Sequence, residues 1–160
     1  MRPAADSALP GGPSHAPRKA QDPPDEPRAF CVDRVAVGAG RIRCEVRLAP
    51  GEPHLTSPEL MRRVLVEFPN LALHACVNEA GPCFGDVMDR TPIPHLFEHL
   101  VIDLQARGSR DGGAVFVGTT EWTDRELGMA RVEVSFKDDL AALRAIKEAA
   151  AFLDARLRGL

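Results

Sequence analysis

Apolar and polar residues alternate strictly over Arg41–Leu48, where Ile42, Cys44, Val46 and Leu48 interleave with Arg41, Arg43, Glu45 and Arg47. That is the period of a strand with one buried face. A second apolar run, Cys31–Val37, precedes it across Gly38-Ala39-Gly40, and the pair predicts a β-hairpin. Thr56-Ser57-Pro58-Glu59 then supplies a capping residue, a proline suited to a first turn and a Glu three residues after Thr56. These predict a helix to about Phe68, closed by Pro69. Leu71–Val77 reads as a third strand, and the Gly- and Pro-punctuated stretch from Asn78 to Arg90 reads as a loop. Thr91 and Pro92 predict the start of a second helix that runs to about Arg107, with Gly108 placed to end it. Ala114–Val117 and Ala130–Phe136 read as two more strands. A last helix over about 137–157 carries an apolar stripe of Leu140, Leu143, Ile146, Ala150 and Leu153. The order ββαβαββα does not alternate as a parallel α/β protein would. It predicts an α+β fold, a mixed or antiparallel sheet with about three helices on one face.

Composition sharpens the boundaries. Residues 1–28 hold seven of the 14 prolines with Gly, Ser and charge, too little apolar surface to offset the entropy of ordering, so this segment is expected to be a disordered tail. Residues 29–160 are expected to form a single α+β domain, and the 44% hydrophobic content is enough for a core. A net charge of −3 with mixed signs offers nothing to nucleic acid or to an anionic membrane. The apolar runs fall short of the ~18 residues that span a bilayer, and the start has no apolar stretch of the ~7–15 residues that a signal peptide needs. Cys31, Cys44, Cys76 and Cys83 are widely spaced without a Cys-x-x-Cys, and Cys31 and Cys44 sit in strand-like runs as ordinary core residues. The reading is a cytoplasmic protein with reduced thiols.

The chemistry lies in the second helix, at His95-Leu96-Phe97-Glu98-His99. Residues four apart stack on one helix face, roughly 5–6 Å apart at Cβ, which lets two imidazoles converge on one zinc. Glu98 falls beside them, within reach of a water on that metal. The order His-x-x-Glu-His is that of inverzincin metallopeptidases, in which the metal acidifies a water and the Glu takes its proton. A third ligand is required; His74 is the first candidate and Asp103, one turn along the same face, the second. Glu121, Glu126 and Glu133 lie where a distant Glu ligand would come from, each with an ordinary surface role as its alternative. His15 in the tail and His54 in a Pro/Gly loop are not convincing ligands. A charged surface or a buried hydrogen-bonded pair is the plain alternative for the motif itself.

The stretch from about Leu71 to Asp154 resembles the N-terminal domain of cyanophycin synthetase. The resemblance rests on Leu73-His74-Ala75-Cys76, on Phe84-Gly85, on Thr91 four residues before His95, and on His95-x-x-Glu98-His99-x-x-x-Asp103-Leu104-Gln105. A valine-rich strand, Val132–Phe136, and an Ala-rich helix, Ala141–Leu153, complete it. It implies an isolated copy of a domain that holds an Asp/Arg polymer and in some members cleaves it, since the ligase modules of the large enzyme do not fit in 160 residues. It also implies His95 and His99, with His74, as metal-site residues and Glu98 as the catalytic carboxylate. Two departures matter. Asp103 stands where the family has Glu, and the family's Gly-x-Gly-Arg-Thr-like stretch appears as Phe116-Val117-Gly118-Thr119-Thr120, without its arginine. The substrate therefore does not carry over with the motif.

Together these predict a zinc-dependent hydrolase of peptide or isopeptide-like amides, with Arg90, Arg107 or Arg131 as candidate helpers of the oxyanion. The alternative is a non-catalytic domain that binds a polymer, a peptide or a partner protein.

Overall fold

The computed structural model describes residues 27–159. The predicted tail, apart from its last two residues, lies outside the described residues. Strands β1 (Phe30–Val37) and β2 (Arg41–Leu48) form the predicted hairpin, and Gly40, at φ 72°, takes the left-handed turn position that disfavours a side chain. Helix α1 (Pro58–Glu67), helix α2 (Ile93–Gly108), strands β3 (Gly118–Asp124) and β4 (Met129–Ser135), and helix α3 (Asp139–Arg158) follow. All strand pairs are antiparallel, in the order β1-β2-β4-β3. This is the expected α+β class.

The alternation in β2 does what it predicts. Ile42, Cys44, Val46 and Leu48 are buried together with Ala130, Val132 and Val134 of β4. Their neighbours form ion pairs on the opposite, solvent face, Arg43–Glu133 at 2.6 Å and Arg131–Glu121 at 2.7 Å. Helices α2 and α3 pack on the apolar face. They also pack on each other, and Ala142, Ala145 and Ala149 of α3 are buried. The buried stripe of α3 is therefore rotated from the expected one, onto Ala142, Ala145, Ile146, Ala149, Leu153 and Leu157: Leu140 and Leu143, expected inside, are 60% and 36% exposed. All four cysteines are free, and burial pushes the Cys44 thiol up to about 12.

Two predicted strands are corrected. Leu71–Val77 is no strand of the sheet: Leu71–Leu73 forms a 3-10 turn, and an extended stretch follows in which Ala75 bridges Cys83. Leu71 is buried in the core while Leu73 and Val77 face solvent, so the apolar alternation marks one anchoring side chain rather than a buried strand face. Ala114–Val117 also lies outside the sheet, whose third strand is the following polar run, Gly118–Asp124. An edge strand needs only one inward face, and Gly118, Thr120 and Trp122 supply it, so apolar content misplaced it. The expected loop from Asn78 to Arg90 holds two 3-10 turns, Phe84–Asp86 and Met88–Arg90.

The two expected helix caps have other partners. Ser57, not Thr56, caps α1, accepting from the Leu60 amide at 3.2 Å. Thr91 makes no cap for α2. Instead the two threonines are tied to each other: the Thr56 hydroxyl accepts from the Thr91 amide at 2.8 Å, and the Thr56 amide donates to the Thr91 carbonyl at 2.8 Å. This frees the Thr91 hydroxyl for the site below.

Candidate metal centre

One side of α2 is committed to the core by Ile93, Leu96, Phe97, Leu100 and Val101, all fully buried. At 3.6 residues per turn that places His95, Glu98, His99 and Asp103 on the remaining side. The stretch 74–78 lies across this side, held by its hydrogen bonds to 82–84. The His74 carbonyl accepts from the Phe84 amide at 2.8 Å, and the Cys76 amide donates to the Pro82 carbonyl at 2.9 Å. Asn78 closes this loop, donating to the Cys76 and Cys83 carbonyls and accepting from the Ala80 and Gly81 amides. Phe84, fully buried, packs its ring 4.1 Å from that of His99 and 5.4 Å from that of His95.

The side chains meet in an unbroken row. His95 Nε2 lies 3.2 Å from His99 Nε2 and 3.5 Å from Cys76 Sγ. These three ligand atoms all lie within 4.8 Å of one another, a group that could hold a metal ion. The spacing suits one: with zinc-like bonds of about 2.05 Å to nitrogen and 2.3 Å to sulfur, tetrahedral geometry separates two nitrogens by roughly 3.3 Å and a nitrogen from a sulfur by roughly 3.6 Å. The opposite ring nitrogens are tethered, as metal-bound imidazoles require. His95 Nδ1 is 2.7 Å from the Thr91 hydroxyl. His99 Nδ1 is 3.3 Å from His74 Nδ1, and His74 Nε2 is 3.2 Å from Asp103 Oδ1. With neutral rings, Asp103 accepts from His74 Nε2–H and His74 Nδ1 accepts from His99 Nδ1–H, which leaves the lone pair of His99 at Nε2, facing Cys76 and His95. Arg107 holds the other Asp103 oxygen at 2.5 Å.

Burial sets the protonation. Burial, followed by the neighbouring His95 and His74, lowers the His99 pKa from 6.5 to about 3, and burial lowers that of His95 too. Both rings are therefore neutral and able to ligate at neutral pH. Burial also pushes up the Cys76 thiol, against the Asn78 hydrogen bond, and it pushes up the Glu98 carboxyl, against the Thr120 hydrogen bond.

Glu98 is 6% exposed and turns to β3, where Oε2 accepts from the Thr120 hydroxyl at 2.6 Å. The chain passes so close here that a Cβ on Gly118 would lie 2.5–2.6 Å from the Glu98 side chain. Gly118 is needed for space, not for backbone conformation. Cys76, His95, Glu98 and His99 together line a cleft of about 1000 Å³ between the 75–78 stretch, α2 and the 115–120 stretch.

Of the residues expected at the site, His95, His99 and Glu98 come together in the cleft, and His74 stands behind His99, away from the side that faces His95. Asp103 stands behind His74. Cys76 was expected only as a neighbour of His74. Its signal was legible: His74 and Cys76 are two apart in an extended stretch, which puts both on one side, and polar Asn78 and Glu79 follow it, unlike a core cysteine. Thr91, Gly118 and Thr120 belong to stretches that carry the family resemblance, but nothing in the sequence assigned them a role at the site. Glu121 and Glu133 pair with arginines on the outer sheet face, and Arg90, Arg107 and Arg131 do not line the cleft. His54 stacks near Trp122, with 5.5 Å between ring centroids.

Among the described residues no helix is long and apolar enough to cross a membrane. No curated protein matches the chain. The family model of the cyanophycin synthase-like N-terminal domain does, over residues 45–157, from within β2 to the last turn of α3 and so across the whole cleft. The chain belongs to the cyanophycin synthase-like N-terminal domain family.

Proposed function

We propose that the protein is a zinc-dependent hydrolase of peptide or isopeptide-like amides, with Cys76, His95 and His99 as metal ligands and Glu98 as general base. The observation that carries this reading is the three-donor group at ligand spacing on the wall of an open cleft, with Glu98 in the same wall. One sulfur and two imidazole nitrogens favour zinc among the abundant metals. Bound there, zinc would polarise an amide carbonyl and make a water acidic.

The chain's own residues do the rest. Thr91 and the His74–Asp103 pair hold the two imidazoles in the tautomers that face the cleft. Glu98 is fixed through Oε2 by Thr120, which leaves Oε1 beside Gly118 to take a proton from a water in the cleft and hand it to the leaving amine. Its raised pKa suits a base that must later act as an acid.

The non-catalytic alternative is favoured by the same Glu98–Thr120 bond, which could serve only to fasten α2 to β3. Metal content separates the two. Mass spectrometry of the purified protein is expected to find about one zinc per chain in wild type and little in Cys76→Ser or His99→Ala. Wild type that stays empty after reconstitution with zinc would sink the hydrolase reading. A zinc-loaded protein whose amide hydrolysis disappears in Glu98→Gln, with the zinc retained, supports it.

A further inference from the structure

The cleft has two long walls of backbone. Side chains alternate between the faces of an extended chain, so a cleft that follows one face meets every second residue. This one is lined by every residue from Val115 to Thr120 and by every residue from Ala75 to Asn78. It therefore runs along the edges of both stretches. On one side that edge is the 115–117 stretch and its continuation into β3, the outermost strand of the sheet, which among the described residues pairs only with β4. On the other, the hydrogen bonds of His74 and Cys76 go to 82–84, and none among the described residues engages the backbone amides of Ala75 or Val77. Unpaired strand edges of this kind accept an added strand.

The side chains of the lining are as telling as its backbone. None of the described lysines, arginines or aspartates lines the cleft, and apart from the three candidate ligands Glu98 is its one ionisable group. Val77, Val115 and Val117 are 106%, 76% and 49% exposed, and Ile102, Phe116, Trp122, Pro82 and Pro92 add apolar surface. Several exposed valines in one concave surface mark a contact site rather than a chance of surface composition. A carboxylate-bearing substrate would find no cationic side chain here, and a guanidinium would find only Glu98.

We infer that the cleft takes an extended peptide chain, added along the free edge of β3, with uncharged apolar side chains on both sides of the amide that faces Cys76, His95 and His99. The inference rests on the reading of this cleft as the substrate site. Backbone pairing supplies affinity that is blind to side-chain charge, and the valines select against charge by leaving it desolvated and unpaired.

Trp122, the chain's single tryptophan, lies in the lining and reports occupancy by its fluorescence. The zinc-reconstituted full chain carrying Glu98→Gln, which leaves peptides uncut, is titrated with a capped hexapeptide of Ala, Val and Leu and with one of alternating Asp and Arg. The apolar peptide is expected to bind at least about tenfold tighter. N-methylation of one alternate set of its amides is expected to weaken it by about tenfold. Val117→Lys, at an exposed side chain, is expected to shift preference toward an all-Asp peptide. Equal or tighter binding of the Asp/Arg peptide, indifference to both N-methylated sets, or no binding of either peptide overturns the inference. Cleavage of the same peptides by wild type keeps the two proposals apart. Apolar binding without Glu98-dependent cleavage supports the inference and removes the hydrolase reading. Glu98-dependent cleavage confined to Asp- or Arg-flanked amides overturns the inference and leaves hydrolysis standing.

Discussion

Asp154 on α3 and Glu98 on α2 are both buried carboxylates, 8% and 6% exposed, and they are held in opposite ways. Asp154 Oδ1 accepts from the backbone amides of Ala29 and Phe30 at 2.7 and 3.2 Å, and Oδ2 lies 3.2 Å from Arg158. The two amide contacts fasten the start of the first strand to the last helix across more than 120 residues of chain, and Arg158 braces the carboxylate from one turn along α3. Glu98 has one hydroxyl donor, no cation in its wall of the cleft, and a pKa raised by burial. A carboxylate satisfied on all sides is structural, whereas one left short of partners beside a cleft is available for proton transfer.

Exchanging the two carboxylates for neutral groups breaks the comparison most sharply. Glu98→Gln is expected to lower amide hydrolysis by roughly 10²–10⁴-fold with zinc content unchanged. Its unfolding free energy at neutral pH should equal or exceed that of wild type. A raised folded-state pKa means that the charged form costs stability, and the amide removes that cost. Asp154→Ala should do the reverse, losing about 2–4 kcal/mol in urea unfolding by stranding two buried amides, while zinc binding by the folded fraction persists. A large stability loss in Glu98→Gln would make the two sites alike and end the distinction.

Gly118→Ala tests the cleft side alone. The new methyl meets the Glu98 side chain at 2.5–2.6 Å, so the carboxylate must swing away from Thr120. If the proposed hydrolysis holds, activity is expected to fall by about 10²-fold, with the candidate ligands His95, His99 and Cys76 still loading zinc. Unchanged activity would show that the position of Glu98 is immaterial.

The pH dependence of the metal-free protein comes next. Folding holds His99 neutral down to about 3, while the unfolded chain takes up its proton near 6.5. The unfolded state thus binds more protons in that window, so stability present above about 6.5 is lost as the pH falls toward 3. His95, lowered by burial, adds with the same sign, and Glu98 opposes it. Urea unfolding from pH 7.5 to 4.5 should show a falling midpoint in wild type and a flatter one in His99→Gln. A midpoint that rises on acidification would contradict this. The smallest effect belongs to the outer sheet face, where Arg43→Ala breaks an exposed pair with Glu133 and should cost no more than about 0.5 kcal/mol by the same measurement.

Much of this was legible before the structure. The strict alternation of β2, the Gly-flanked hairpin and the His95/Glu98/His99 spacing depend on neighbours a few residues away, and local geometry delivers them. The failures are of another kind. Leu71–Val77 and Ala114–Val117 look apolar enough for strands, but whether an extended segment joins a sheet depends on a free edge to pair with, which the segment does not encode. β3 was missed for the same reason in reverse, because β4 supplied its partner. Thr56 and Thr91 look like helix caps, and each finds a better partner in the other.

The sequence by itself determined the periodicities, and with them which helix face carries two imidazoles and a carboxylate, because a helix of 3.6 residues per turn leaves no other choice. Only the tertiary structure decided what those groups meet. Cys76 beside His95, His74 between His99 and Asp103, and Thr120 and Gly118 against Glu98 come from segments 19 or more residues away in the chain. Their approach is set by how the core packs, and packing sums over every buried side chain at once, so no local pattern announces it.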